Sequence, residues 1–427
     1  MEFGDELRRQ RIAAGLSLRD LAGLVHYSRG HISKVETGQA IASVELARLC
    51  DSALGAGGVL VSIVASVTGR RPAAVREKAG GTPVNADPGT SRWPVPLIRE
   101  DLLSSGEPVI AIAIPSVKGI SPAQAESAAA TFAVLFGQLR QLGQCVFPGA
   151  LLPTLIAQTG TLRGLAAAAR NPTRSTLLGL ASRYAEYTGW MAEEMGDDHA
   201  ALWWTDEAVQ MADAAGQPEM GAYALVRRAL VGMYRGDAAE TIDLALMARS
   251  DARASERIRG LASLREAQGY ALTADEGACQ QALERGREHL ARAMDDPVGT
   301  VLGTSTVVDP AAMVTGWCLH DLGRPGDSAA ILDREIARLP AEARKARTRF
   351  AVRRALAYAA AGEVDQACRL TDELLTDAQE LSSATIRLDL VRLSRALNRW
   401  PNHAPVRALQ PGLTRALRPL SRRSADG

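Results

Sequence analysis

From Leu180 onward one plan recurs: a helix-period segment ending in glycine, a polar turn, and a second helix-period segment opening on small and apolar residues. It appears in "GWMAEEMGDDHAALWWTDEAVQMA", "RALVGMYRGDAAETIDLALMA", "GWCLHDLGRPGDSAAILDREIA" and "ALAYAAAGEVDQACRLTDELL", and less regularly in "GYALTADEGACQQALERG". The turn glycines Gly196 and Gly236, then Gly323 and Gly362, stand about 40 residues apart, within the range of stacked helix-turn-helix units. A unit of this kind cannot bury its apolar face alone, and small residues at the crossings are what close antiparallel packing requires. The hydrophobic content of 47% is carried largely by alanine and leucine and only 4% of residues are aromatic, a balance that favours closely packed helices over sheets. The expectation is an all-α chain.

At 427 residues the chain exceeds what one hydrophobic core usually organises, so two or more domains are expected. Before about Val67 four short segments have helical apolar spacing: Glu2 to Ala14, Ser17 to Val25, Ser28 to Thr37 and Ser43 to Leu54. Gly15, Gly38 and Gly55 follow three of them, where a left-handed turn costs glycine least. Ser17 with Asp20 has capping-box spacing, although Glu or Gln is the usual partner, and Ser28 suits an N-cap. From Thr68 to about Trp93 periodicity disappears among Gly, Pro and small polar residues, which reads as a flexible linker. The expected organisation is a helical domain over 1–67, a linker over 68–96, a helical connecting region over 97–180 and helical repeats over 181–420. Within the third of these, "EPVIAIAIP" reads either as a short strand or as a buried extended piece, and a helix begins at Ser121. The tail "RPLSRRSADG" is expected to fray.

The stretch "YSRGHISKVETGQ" places Arg29, Gly30, Ser33, Lys34 and Thr37 in one arc of a helix, with Ile32 and Val35 on the other side. One face is buried and the other can touch something. Residues 1 to 66 resemble the phage-repressor-like, Cro/C1-type (Xre family) helix-turn-helix regulators. The resemblance is carried by "RRQRIAAGLSLRDLA", in which Ala22 lets two helices cross, and by "SRGHISKVETGQ", which ends in Glu36, Thr37 and Gly38. It implies a lambda-repressor-like bundle, an ion pair between Arg11 and Glu36, and a recognition helix whose Arg29, Gly30 and Lys34 face base edges, with Ser28 and Ser33 beside them. Glu36 also lies at the border of the buried face by geometry, where a carboxylate needs a cation. Arginine suits bidentate contact with guanine, and lysine a looser version of it. His31, at the edge of the buried arc, reads as a packed or phosphate-touching imidazole or as a base contact. The resemblance thus implies a double-stranded DNA operator as partner. The loop "GQAIASVELA" lacks the basic residues this family often sets on phosphates, and residues 1 to 70 carry eight Lys and Arg against seven Asp and Glu, so a homodimer is expected to supply affinity. The rival expectation is a protein-interaction scaffold whose head docks without reading DNA.

A net charge of +1 gives no general attraction to nucleic acid. The longest apolar runs, "VLVSIVASV" and "VIAIAIP", are too short to span a bilayer and the start lacks a secretory signal, so a cytoplasmic protein is expected. Five scattered cysteines without a CxxC pair suit reduced core thiols better than disulfides or zinc. Phosphate-cradling loops, nucleophile elbows, metalloprotease and calcium-loop spacings are missing, and His199, His289, His320 and His403 have no visible nucleophile or metal partner. Neither catalysis, a cofactor nor a metal is expected.

The repeats look like a divergent tetratricopeptide-type α-solenoid over roughly 180 to 420. A helical array joined to a repressor-type head resembles bacterial peptide-responsive regulators, in which the superhelix binds a signal. The first helix of each unit forms the concave face, which makes Tyr187, Trp190, Trp317, Arg347, Arg353 and Arg354 the candidate ligand contacts. The six cations of "EARKARTRFAVRRALAYAA" read either as a receiver for a ligand carboxylate or phosphate or as a solvated face. Trp203 and Trp204, on a second helix, are expected to pack. Asparagines that would hold a peptide backbone are scarce, so a peptide, a small molecule, a protein partner and no ligand all stay open.

Overall fold

The computed structural model describes residues 2–68, 92–96, 109–113, 119–295 and 301–418. The expected linker over 68–96 lies mostly outside them, as does the tail beyond Arg418. The head is a bundle of α1 (Phe3–Ala13), α2 (Leu18–Leu24), α3 (Arg29–Glu36), α4 (Val44–Leu54) and α5 (Val59–Thr68). Leu7, Leu21, Ile32, Val35, Leu46, Cys50 and Leu60 form its core.

Local chemistry sets each boundary of the head. Ser17 accepts from the Asp20 backbone N–H at 3.2 Å while its own N–H donates to the Asp20 carboxylate at 2.9 Å, so aspartate completes the capping box that starts α2. Ser28 Oγ accepts from the His31 N–H at the start of α3, and Ser43 Oγ from the Leu46 N–H at the start of α4. α5 begins where the Gly58 and Val61 N–H groups donate to the two oxygens of Asp51, seven and ten residues back. Gly4 lets α1 and α3 touch, because a Cβ there would stand 2.4 Å from the Val35 carbonyl oxygen. Between the same helices Arg11 clamps Glu36 with two bonds, Nε to Oε1 at 2.6 Å and Nη2 to Oε2 at 2.9 Å, and both side chains are largely buried.

Two strands, β1 (Arg92–Pro96) and β2 (Val109–Ala113), pair antiparallel with Val95 opposite Ile110. β1 thus occupies the last five residues of the stretch 68–96, and the ambiguous apolar segment contains its partner strand. Long helices α6 (Pro122–Leu142) and α7 (Pro148–Ala168) follow. Six antiparallel pairs come next: α8 (Thr173–Met195) with α9 (Asp198–Ala214), α10 (Glu219–Arg235) with α11 (Ala238–Ser250), and α12 (Glu256–Leu272) with α13 (Glu276–Asp295). The remainder are α14 (Pro310–Asp321) with α15 (Pro325–Ala337), α16 (Arg344–Ala360) with α17 (Val364–Leu381), and α18 (Ala384–Leu397) with α19 (Ala404–Leu417). Gly196, Gly236, Gly323 and Gly362 all adopt positive φ in the turns. Trp204 is fully buried in the largest core cluster.

α10, α12 and α14 lie side by side, as do α16, α18 and α8; Arg227 of α10 bound to Glu193 of α8 and Arg353 of α16 on the Trp317 ring of α14 join the two sets, so the row closes on itself. The closure is polar. Glu194 of α8, with no exposed surface, accepts from Arg349 of α16 and from Ser383 and Thr385 at the start of α18. On the head, Glu36→Ala should leave the Arg11 guanidinium without its carboxylate between two helices, at a cost of about 3–5 kcal/mol. Hydrogen exchange checks this as faster exchange in α1 and α3; unchanged rates there would show that the pair holds nothing.

Candidate functional sites: an exposed helix face, a seam and a cavity

Ser28, Arg29, Gly30 and Lys34 of α3 are exposed, while Ile32, Val35 and Glu36 on the opposite side are buried. Ser33 is half-buried. His31 is also half-buried, its ring stacked on Tyr27 with centroids 5.4 Å apart. The imidazole thus packs at the rim of the outward face. Nothing fills the space around the missing Cβ of Gly30, so backbone can approach closely there.

The head is seated on the turns of the array. Arg48 of α4 reaches Asp321 at the end of α14, Nη1 to Oδ1 at 2.6 Å, with the carboxylate almost fully buried. Burial works to raise the Asp321 carboxyl, but Arg48 and Arg353 beside it outweigh this and hold it down at about 2. Gly323 continues the contact: a Cβ there would stand 2.5 Å from the Arg48 carbonyl oxygen. Ala274, in the α12–α13 turn, packs into the core of the head. The guanidinium of Arg399, in the α18–α19 turn, lies 4.7 Å from the Tyr27 ring centroid. His26, in the left-handed region at φ 54° between α2 and α3, puts its ring against Gly362. Four successive turns of the array therefore hold one side of the head, and the outward face of α3 stays open.

Inside the closed row of first helices is a cavity of about 880 Å³. Tyr187 and Trp190 of α8 line it, stacked with centroids 5.7 Å apart, and so does Trp317 of α14, edge-on to Tyr234 of α10. Three expected contacts are elsewhere. Arg347 donates to the Ile336 and Leu339 carbonyls and so caps the end of α15. Arg353 is buried behind the Trp317 ring, 3.5 Å from its centroid, and donates to Asp389 at 2.7 Å. Arg354 pairs with Asp333 at 3.3 Å. These three belong to the wall's outer layers because α16 turns them away from the cavity; the cations it presents inward are Lys345 and Arg349. Burial pushes the Lys345 ammonium down to about 8 although Glu194 opposes the shift.

Sequence reasoning also missed Tyr223, Arg227 and Tyr234 on α10 and Arg265 and Gln268 on α12, all of which line the cavity. The spacing was present to be read: Arg227 and Tyr234 are seven residues apart, and Arg265 and Gln268 three, the repeat of one helix face on a first helix. No group of three or more His, Cys, Asp or Glu side chains with metal-binding placement occurs among the described residues, and no helix among them is long and apolar enough to cross a membrane.

Asp321→Asn should strip Arg48 of its carboxylate at a largely buried seam, at a cost of about 3–5 kcal/mol. The expected outcome in the full chain is faster amide exchange along Val44–Leu54 with the array still protected. Unchanged exchange in that helix would show that the head is held by something other than this pair.

Residues 2–62 match the family model described as a helix-turn-helix domain. No curated protein and no solved structure matches the chain. The five-helix head is a helix-turn-helix domain, and a helical, repeat-like array follows it.

Proposed function

We propose that the protein is a sequence-reading, DNA-binding transcriptional regulator, not an enzyme, and that its array is a divergent tetratricopeptide-type solenoid that senses a small molecule. The observation that carries this reading is α3: on a domain matched as helix-turn-helix, Arg29, Gly30 and Lys34 stand exposed on one face, where helix-turn-helix proteins present residues to the major groove. The near-balanced charge of the head gives little long-range pull on DNA, so two heads act together in a cytoplasmic homodimer built through the array.

The seam supports a sensing role. α14 contributes Trp317 to the cavity and, one turn later on the same helix, Asp321 to the head. A ligand that shifts α14 thereby shifts the anchor of Arg48. The rival reading, a scaffold whose head only docks, draws on the same seam but leaves the cationic arc of α3 without a role.

Genomic fragments retained by the full-length protein supply the test sites. Arg29→Ala should cost about 1–3 kcal/mol on the preferred site and far less on random DNA, with Lys34→Ala smaller in effect. Sedimentation should find a dimer. Equal losses on preferred and random DNA, or fragments without a shared sequence, would favour the scaffold.

A further inference from the structure

The cavity wall contains a set of buried polar atoms that have no hydrogen-bond partner: Arg227 Nε, Arg265 Nε, Gln268 Nε2, Lys345 Nζ, Arg349 Nε and Tyr234 Oη. All but the tyrosine hydroxyl are nitrogen donors, and the hydroxyl can donate. Among the described residues that line the cavity, no buried carboxylate or carboxamide oxygen is left unpartnered. Native structures rarely leave such groups unmatched, and a cluster of them around one space asks for an occupant rich in acceptors.

Charge narrows the class. Arg227 lies 2.6 Å from Glu193, and Arg349 is paired with Glu194 behind the wall. Arg265 has no carboxylate within ion-pair distance among the described residues, and its guanidinium donates to the Gln268 carboxamide oxygen. Lys345 Nζ has no hydrogen-bond partner: its ammonium lies 5.6 Å from the Trp190 ring centroid, and Glu194, already held by Arg349, attracts it only at longer range. An inward guanidinium without a paired carboxylate, one helical turn from a carboxamide whose nitrogen has no acceptor on a residue 1% exposed, is a place for an anion.

Shape narrows it further. Trp190, Trp317, Leu230, Leu264 and Phe350 supply an apolar wall, and about 880 Å³ falls within the roughly 300–1,000 Å³ of small-molecule sites. An extended peptide would bring backbone N–H donors to a wall already crowded with donors.

We infer that the cavity binds an organic anion with an apolar, ring-sized body, its acidic group held between Arg265, Gln268 and Tyr234 and its body among Trp190, Trp317 and Phe350. This rests on the sensing role proposed above and names its ligand class. The anion gives the stranded donors of Arg265, Gln268 and Tyr234 an acceptor and Arg265 a counter-charge, while the rings replace water against the aromatic wall.

The test is equilibrium titration of the full-length protein, without DNA, with 8-anilinonaphthalene-1-sulfonate and with N-phenyl-1-naphthylamine, the same ring skeleton lacking the sulfonate. The sulfonate probe should saturate a single site that quenches tryptophan emission and should bind about tenfold more tightly or better than the neutral probe, the difference one hydrogen bond to a charged group makes. Arg265→Met should remove that preference and leave neutral-probe binding unchanged, whereas Arg235→Met, on the exposed end of α10, should alter neither. If Arg265→Met does not fold, Gln268→Leu and the wild-type preference decide. Equal affinity for the two probes, a preference that survives Arg265→Met or Gln268→Leu, or displacement of the dye by an uncharged, end-blocked peptide would overturn the inference. A failure here leaves DNA reading untouched, because Arg29 and Lys34 are scored on DNA alone.

Discussion

A single carboxylate holds the array in its closed form. Glu194 has no exposed surface, and burial alone would raise its pKa and neutralise it; Arg349 and Lys345 overcome that burial and keep it charged, and Ser383 and Thr385 complete its shell. These partners come from α16 and α18, at the far end of the repeat row from α8, so the bond joins residues nearly 200 positions apart in sequence. An open superhelix would expose the inner faces of the first helices as a groove. Closed through Glu194, it has a walled cavity in which buried donors are sheltered from water. Replacing such a group without its cation leaves a buried charge uncompensated, which is why closure and charge stand or fall together.

The second constraint is that α14 serves two surfaces. Trp317 faces the cavity, Arg353 is pressed on the back of its ring, and Asp321 one turn on receives Arg48 from the head. Burial pushes His320, between them, down to about 3, so it stays neutral and adds no competing charge at ordinary pH. The head is therefore anchored by the very helix that forms part of the cavity wall, in addition to whatever covalent connection residues 69–91 provide. Such an arrangement can pass a sub-ångström change because packed elements shift as units.

Features set by neighbours in sequence were legible. The helix pairs announce themselves through 3.6-residue periodicity and turn glycines, and the caps of α2 and α3 through Ser17, Asp20 and Ser28. The Arg11–Glu36 clamp could be anticipated from the edge position of Glu36 and the family resemblance. The fold withheld what depends on distant chain. α5 is a β-branched run whose start is capped by Asp51, a partner no local rule assigns to it. The cluster of cations on α16 was visible, but charge alone does not say which side of a helix meets a cavity: Lys345 and Arg349 face it, while Arg347, Arg353 and Arg354 cap carbonyls or pair with Asp389 and Asp333. Arg265 and Gln268 carry the spacing of one helix face, but only closure of the row turns that face to the cavity. The seam with the head left no sequence trace beyond the small turn residues Gly323 and Gly362, which serve as ordinary helix terminators in most proteins.

The central physical claim is that the cavity wall and the helix-turn-helix head are one mechanical unit through α14. Amide exchange of the full chain carrying Trp317→Ala measures it, because Trp317 lines the cavity while Asp321, four residues on, makes the bond to the head. The account predicts faster exchange both along Pro310–Asp321 and along Val44–Leu54 of the head. Faster exchange confined to the array, with Val44–Leu54 unchanged, would contradict it.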